Sequence, residues 1–146
     1  MADMKAFATK ENADSGVWFP VRIGGVKYPL ALRLYGIDSD AVQQYERQRI
    51  RKMRISKKGT AEIDDDTIDD ILDSYNDMYI VRIGGISSYD WKNEKLSDEP
   101  VTWGTETLGN DRKSYSLLVE NIPALRDFIR EKSDERSNFL SEEKRS

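Results

Sequence analysis

The sequence predicts a mainly α fold (α+β), in which a small N-terminal β-hairpin is followed by a bundle of about four helices. Three observations predict it. Two β-prone runs flank the pair Gly24-Gly25. Apolar residues recur at helical spacing between residues 68 and 83. Near the C-terminus, Asn121-Ile122-Pro123 has the pattern of a cap followed by a proline in the first helical turn.

The chain has 146 residues, which is the size of one domain. Residues 1–14 are small and polar, so we expect a flexible lead-in there. A single domain should occupy 15–140, with the hairpin at 15–36. Residues 141–146 are expected to be a frayed tail.

The predicted hairpin has arms at 17–23 and 26–35, and Pro20 and Pro29 suit edge strands because proline cannot donate to a sheet ladder. In the second arm, one face is apolar and can be buried: Leu30, Leu32 and Leu34. The letters Val-Arg-Ile-Gly-Gly occur at 21–25 and again at 81–85. Because their flanks differ, we interpret one copy as a hairpin and the other as a helix end.

Two central helices of opposite charge are predicted. The first runs over about 40–55 after a cap at Asp38 or Ser39, and seven positive residues and no negative one lie between Arg47 and Lys58. The second begins near 64–66 within eight acidic residues at 62–77, and it ends at Gly84-Gly85 as a C-terminal glycine cap. Opposite charges favour an antiparallel pairing of these two helices.

The C-terminal third is predicted to begin with an irregular stretch over 86–110, anchored by its tryptophans. A short helix should start at Asn110 or Asp111, and the residues on its apolar face are Tyr115, Leu118 and Val119. A last helix should run from about Pro123 to about Leu140.

The composition excludes several kinds of chemistry. The chain contains no histidine and no cysteine, which rules out Ser–His and Cys–His catalytic pairs and thiolate metal sites. We therefore predict no catalytic residue, no cofactor and no metal, although carboxylate or lysine chemistry passes this filter. The acidic stretch at 62–77 lacks the glycine that an EF-hand loop requires. A net charge of −4 argues against nucleic-acid partners and anionic membranes.

Several large apolar residues are candidates for contacts with a partner protein, because such side chains dominate interface energetics. The alternative for each is a place in the core. The candidates are Trp91, Trp103, Leu125, Phe128, Ile129, Phe139 and Leu140.

A further pattern of spacing and residue type begins at Trp91. It continues through Pro100-Val101-Thr102-Trp103-Gly104, Leu117-Leu118-Val119 and Asn121-Ile122-Pro123-Ala124-Leu125-Arg126-Asp127-Phe128-Ile129, and it ends with Asn138-Phe139. This pattern resembles tail assembly chaperones of long-tailed (siphovirus-like) bacteriophages, in which a helical domain precedes a tryptophan loop, a short helix, a proline-started helix and a terminal Asn-Phe. The hairpin containing Trp18 and Leu30-Ala31-Leu32 fits their small β element, so the similarity covers most of 16–140.

The resemblance implies a non-enzymatic protein of the host bacterial cytoplasm. It would bind the tape measure protein and the tail-tube protein, assist assembly of the tail tube, and be absent from the mature virion. Self-association and a longer, frameshifted form are left open. Two alternatives are a structural tail-completion or connector protein, and a small nucleic-acid-binding regulator that uses the basic helix at 47–58.

Overall fold

A computed structural model of the protein describes the backbone of residues 3–58 and 76–141 and the side chains of 3–51 and 76–141. Its centre is a four-stranded antiparallel sheet with the strand order β1-β2-β3-β4. The elements in chain order are a 3₁₀ turn (Met4–Phe7), α1 (Lys10–Ser15), β1 (Val17–Ile23), β2 (Val26–Leu34), α2 (Asp40–Lys58), α3 (described over 76–80), β3 (Ile83–Asp90), β4 (Lys95–Ser97), β5 (Thr102–Trp103), β6 (Glu106–Thr107), α4 (Arg112–Asn121), α5 (Pro123–Asp134) and a second 3₁₀ turn (Arg136–Phe139).

The predicted fold class is therefore wrong. The sheet is the centre of the fold, and it is not a hairpin placed ahead of a helical bundle. The hairpin itself forms as β1 and β2, joined by a turn in which Gly24 and Gly25 have φ of 58° and 80°. Such positive φ values suit the two central residues of a tight hairpin turn, and glycine adopts them at little cost.

The second Gly-Gly pair accounts for the main error. Residues 83–90 form β3, so Gly84-Gly85 lies inside a strand and does not end a helix. Gly84 is the extra residue of a bulge, because Arg33 pairs with Gly85 while Leu34 pairs with Ile83. Of the helix predicted from 64 to 83, residues 64–75 lie outside the described residues, and 76–80 are helical.

Other predicted boundaries also change. The stretch at 86–110, predicted as irregular, contains most of β3 together with β4, β5 and β6. Residues 10–14 of the predicted flexible lead-in belong to α1, where Ala13 is buried. Helix α4 does begin after Asp111, whose carboxylate accepts a hydrogen bond of 2.8 Å from the Ser114 backbone, and α5 begins at Pro123. However, α5 ends at Asp134, and a 3₁₀ turn follows it.

The basic helix α2 begins at Asp40 as predicted. The acidic half of its predicted antiparallel partner lies mostly outside the described residues. In the described part, Arg49 Nη1 of α2 lies 3.9 Å from Met78 Sδ of α3, so the two helices are adjacent at that point.

One face of the sheet forms the core together with α4 and α5, and α5 contacts both β1 and β2. The strand residues on this face include Leu30, Leu32 and Leu34, and the helices contribute Val119, Leu125 and Ile129. Their burial is the main stabilising contribution to the fold, at about 25 cal/mol for each Å² of apolar surface.

The second copy of Val-Arg-Ile-Gly-Gly supplies a buried polar anchor. Arg82 is almost fully buried, and it donates hydrogen bonds to the Met78 carbonyl (3.1 Å), to Ser133 Oγ (2.9 Å) and to Asp134 (2.5 Å). Ser133 Oγ in turn donates to the Tyr35 carbonyl at 2.7 Å. This network ties the end of α5 to the segment after β2 and to the entry of β3.

Candidate partner-binding surface

The two faces of the sheet differ in character because successive side chains along a strand point to opposite sides. We call the face turned away from the core the outer face. It is defined by Trp18, Arg22, Lys27, Arg33, Tyr89 and Leu96, with Trp91 following in the β3–β4 turn. None of these residues belongs to the core cluster, whereas their strand neighbours Phe19, Leu32 and Ile86 belong to it or pack against it.

One end of the outer face is built around Trp18. Trp18, Arg33 and Gly85 are cross-strand neighbours in a single row. The indole lies over Gly85, since a Cβ at that glycine would be 3.1 Å from Trp18 Cη2. Arg33 Nε donates to the Gly84 carbonyl at 3.1 Å, which holds its guanidinium against the bulge. Trp18 nevertheless keeps 37 % of its surface exposed.

The middle of the outer face is a row of small side chains: Pro20, Ala31 and Ser87 are paired across three strands. Ala31 has no exposed surface, although it lies outside the core cluster. Pro20 and Ser87, at the two ends of this row, are partly exposed.

The opposite end of the outer face is an aromatic cluster. The rings of Tyr89 and Trp91 meet edge to face at 4.9 Å, and Trp91 Nε1 donates to the Tyr28 carbonyl at 2.6 Å. The Lys27 ammonium lies 5.4 Å from the centre of the Trp91 ring, within the range of a cation–π contact. Leu96 pairs with Tyr89 and is 41 % exposed.

The charge of the outer face is opposite in sign to that of the chain. The protein has a net charge of −4, yet the outward positions of the described strands carry Arg22, Lys27 and Arg33 and no carboxylate. Asp90 and its strand partner Lys95 follow and precede the outer-face pair Tyr89 and Leu96, so they point to the opposite face. A hydrogen bond from the Asn93 side chain holds the pKa of Asp90 below its usual value.

Trp91, one of the predicted partner-binding residues, is therefore half-buried at the rim of the outer face. Trp103 is elsewhere, on the small β5–β6 hairpin, where it pairs with Glu106 and is 37 % exposed. The turn of this hairpin contains Gly104, whose φ is 61°. The two tryptophans thus belong to different elements, and sequence spacing alone did not separate them.

The remaining predicted residues are mostly internal: Leu125, Phe128, Ile129 and Phe139 are buried, and Leu140 is half-buried. Phe139 packs edge to face against Phe19 at 6.1 Å. Asn12 of α1 donates to the carbonyls of Phe139 (3.0 Å) and Leu140 (3.2 Å). The C-terminal Phe-Leu pair therefore joins the chain ends, and it does not form an exposed stripe on a helix.

The concave features are shallow. A depression of about 630 Å³ lies between β6 and α4, lined by Leu108, Arg112 and Glu120 among others, and one of about 430 Å³ lies beside β4. Within residues 3–58 and 76–141, no group of three or more Asp or Glu side chains is arranged to hold a metal ion. The helices in the same ranges include none that is long and apolar enough to cross a membrane.

Comparisons with known proteins give no relative. No protein-family model matches the chain. No curated protein and no solved structure matches it significantly.

The contact residues predicted from the sequence do not include Trp18, Arg22, Lys27 or Leu96. A signal for the first two was present, because Trp18, Pro20 and Arg22 alternate with Phe19, Val21 and Ile23 along β1. That alternation separates two faces of the strand, and it does not show which of them the helices cover.

Proposed function

We propose that this protein is a phage tail assembly chaperone that binds the tape measure protein and assists assembly of the tail tube in the host cytoplasm. Two things support the proposal. The first is the resemblance of the pattern from Trp91 to Phe139 to such chaperones. The second is the outer face, and this is the observation that carries it.

A chaperone for a long, aggregation-prone client needs exposed apolar surface together with charge that keeps the complex dispersed. The outer face offers both. Trp18 and Leu96 expose apolar surface at its two ends, and Arg22 and Lys27 are exposed on the same face. Tryptophan is enriched among the few residues that dominate the binding energy of protein interfaces.

Most of the apolar residues that carry the resemblance lie in the interior of the fold. Leu118, Val119, Leu125, Phe128 and Phe139 are buried in the described structure. These residues therefore specify the framework formed by α4, α5 and the C-terminal turn, and that framework covers one side of the sheet. The opposite side is the outer face, on which Trp18, Arg22 and Lys27 are exposed.

The test is co-expression of the tagged chain with the tape measure protein and the tail-tube protein, followed by affinity purification. The variant is Trp18→Ser, and Trp103→Ser is its matched control because both tryptophans are 37 % exposed. We expect Trp18→Ser to reduce the recovered tape measure protein about tenfold, as for loss of an interface hot spot, while Trp103→Ser retains it. Mass spectrometry of finished virions should not detect the chain.

Each contrary outcome has a distinct meaning. If Trp103→Ser abolishes recovery and Trp18→Ser does not, the β5–β6 hairpin is the contact and the outer face is the wrong surface. If wild-type chain recovers neither tail protein, or occurs in virions in fixed stoichiometry, the chaperone proposal fails, and the second outcome favours a tail-completion or connector protein.

The regulator hypothesis has one structural observation in its favour: Arg47, Arg49 and Arg51 are exposed along the described part of α2. Such a regulator would bind DNA in a salt-dependent way. Binding would be lost on replacing Arg49 and Arg51, whereas a chaperone acting through the outer face would be unaffected.

A further inference from the structure

Arg22 and Lys27 occupy an unusual position on the outer face. They are directly paired across β1 and β2, and both are exposed. Like charges directly opposite each other on a sheet repel and destabilise the pair. Within the described residues, no carboxylate lies within ion-pairing distance of either cation. An anion placed between the two side chains would relieve this repulsion.

The surface next to this cation pair is apolar. Pro20, which is partly exposed, lies between Arg22 and Trp18 on the same side of β1. Trp18 is four residues from Arg22, which corresponds to about 13 Å along a strand. The face therefore has two exposed cations at one end and exposed apolar surface at the other.

We infer that the outer face binds an apolar segment of a partner protein that carries carboxylates at one end, with a carboxylate between Arg22 and Lys27 and apolar side chains against Pro20 and Trp18. This inference rests on the proposed function, since it names the chemistry of the client segment that a chaperone would hold. A nucleic acid would fit the face less well. Lys27 covers one side of the Trp91 ring, and the net charge of −4 repels a polyanion.

The probe is an amphipathic helical peptide of about 14 residues, whose length of about 21 Å exceeds the distance from the cation pair to Trp18. It has leucines on one face and glutamates at one end of that face. A matched peptide has lysines at the glutamate positions. We expect the glutamate peptide to quench or shift tryptophan fluorescence on binding and the lysine peptide to bind at least about tenfold more weakly. Binding should weaken between about 50 mM and 500 mM salt.

The decisive variant is Arg22→Glu, because its effects on folding and on binding have opposite signs. The new carboxylate faces Lys27, so the free protein should keep or raise its Tm. The glutamate peptide should nevertheless bind about tenfold more weakly. Lys113→Glu is the matched control, since this exposed lysine lies on α4, which packs on the other face of the sheet. It should leave binding unchanged.

Four outcomes would overturn the inference. The lysine peptide could bind as well as the glutamate peptide, or Arg22→Glu could retain full binding. An oligothymidylate could bind more tightly than the peptide and be released by Arg22→Glu, which would indicate a nucleic-acid surface instead. Recovery of the tape measure protein by Arg22→Glu but not by Trp18→Ser would reject the carboxylate preference while leaving the proposed function intact.

Discussion

The Gly84-Gly85 pair allows a sharp test of the β3 assignment through the substitution Gly84→Ala. A Cβ at Gly84 would lie 2.7 Å from Tyr35 Cζ and 2.8 Å from Tyr35 Oη. Both distances are far below van der Waals contact, so the tyrosine ring must move. Gly84 has no positive φ, so strain of the left-handed region plays no part in the effect.

Two contributions decide the expected size. Overpacking against a ring costs about 1–3 kcal/mol. Replacing glycine with alanine reduces the entropy of the unfolded chain, which stabilises the folded state by about 0.4–1 kcal/mol. The net destabilisation should therefore be about 0–2.6 kcal/mol. In a Tyr35→Ala background the obstacle is gone, so Gly84→Ala should be neutral or stabilising. The coupling energy between the two sites is then about 1–3 kcal/mol.

The assay is a double-mutant cycle in the free energy of unfolding, measured by urea titration with circular dichroism. In a chain of 146 residues, each kcal/mol corresponds to a Tm shift of about 2–4 °C. A helix-capping glycine behaves differently. Alanine in the left-handed conformation costs about 1–2 kcal/mol regardless of what stands at position 35. An equal cost of Gly84→Ala in both backgrounds would therefore refute the strand assignment.

Two further predictions concern hydrogen-bonded anchors. Ser133→Ala removes both the donor to the Tyr35 carbonyl and an acceptor of Arg82, so it should lower the free energy of unfolding by about 1–3 kcal/mol in urea titrations. Hydrogen bonds from Arg136, at 2.7 and 3.1 Å, hold the pKa of Asp38 below its ordinary 3.8. This carboxylate therefore stabilises the fold above pH 3.8, and the contribution is lost as the pH falls through its lower folded pKa. Asp38→Asn should lower the Tm at pH 7 and have little effect near pH 2, as measured by thermal denaturation at both pH values.

Contrary results would be equally informative. If Ser133→Ala leaves the free energy of unfolding unchanged, a water molecule replaces the hydroxyl and the network does not anchor α5. If Asp38→Asn lowers the Tm equally at both pH values, its effect comes from lost packing rather than from the ion pair with Arg136.

Local signals identified a large part of this fold. Gly24-Gly25 between β-prone runs predicted the β1–β2 turn, Asp111 predicted the start of α4, and Pro123 predicted the start of α5. Each of these signals acts within a few residues, through φ preferences or through a capping hydrogen bond. For this reason these signals do not depend on how distant parts of the chain pack.

Non-local pairing decided the remainder. Residues 83–90 combine apolar positions with two glycines, a pattern equally typical of a helix end and of a bulged strand. The strand forms because β2, about 50 residues earlier in the chain, offers a ladder partner, as in the pair Leu34 and Ile83. The glycines are needed there because the rings of Tyr35 and Trp18 occupy the space beside them.

The same division applies to the candidate surface. The alternation of residues along β1 is enough to predict two faces of different character. The composition is enough to exclude histidine and cysteine and to predict a hydrophobic core. That α4 and α5 cover the face of Phe19, while Trp18 on the opposite face stays partly exposed, follows from the packing of the folded chain. The physical reason is that burial depends on which elements meet, so the same apolar residue becomes core or contact surface according to packing across the whole chain.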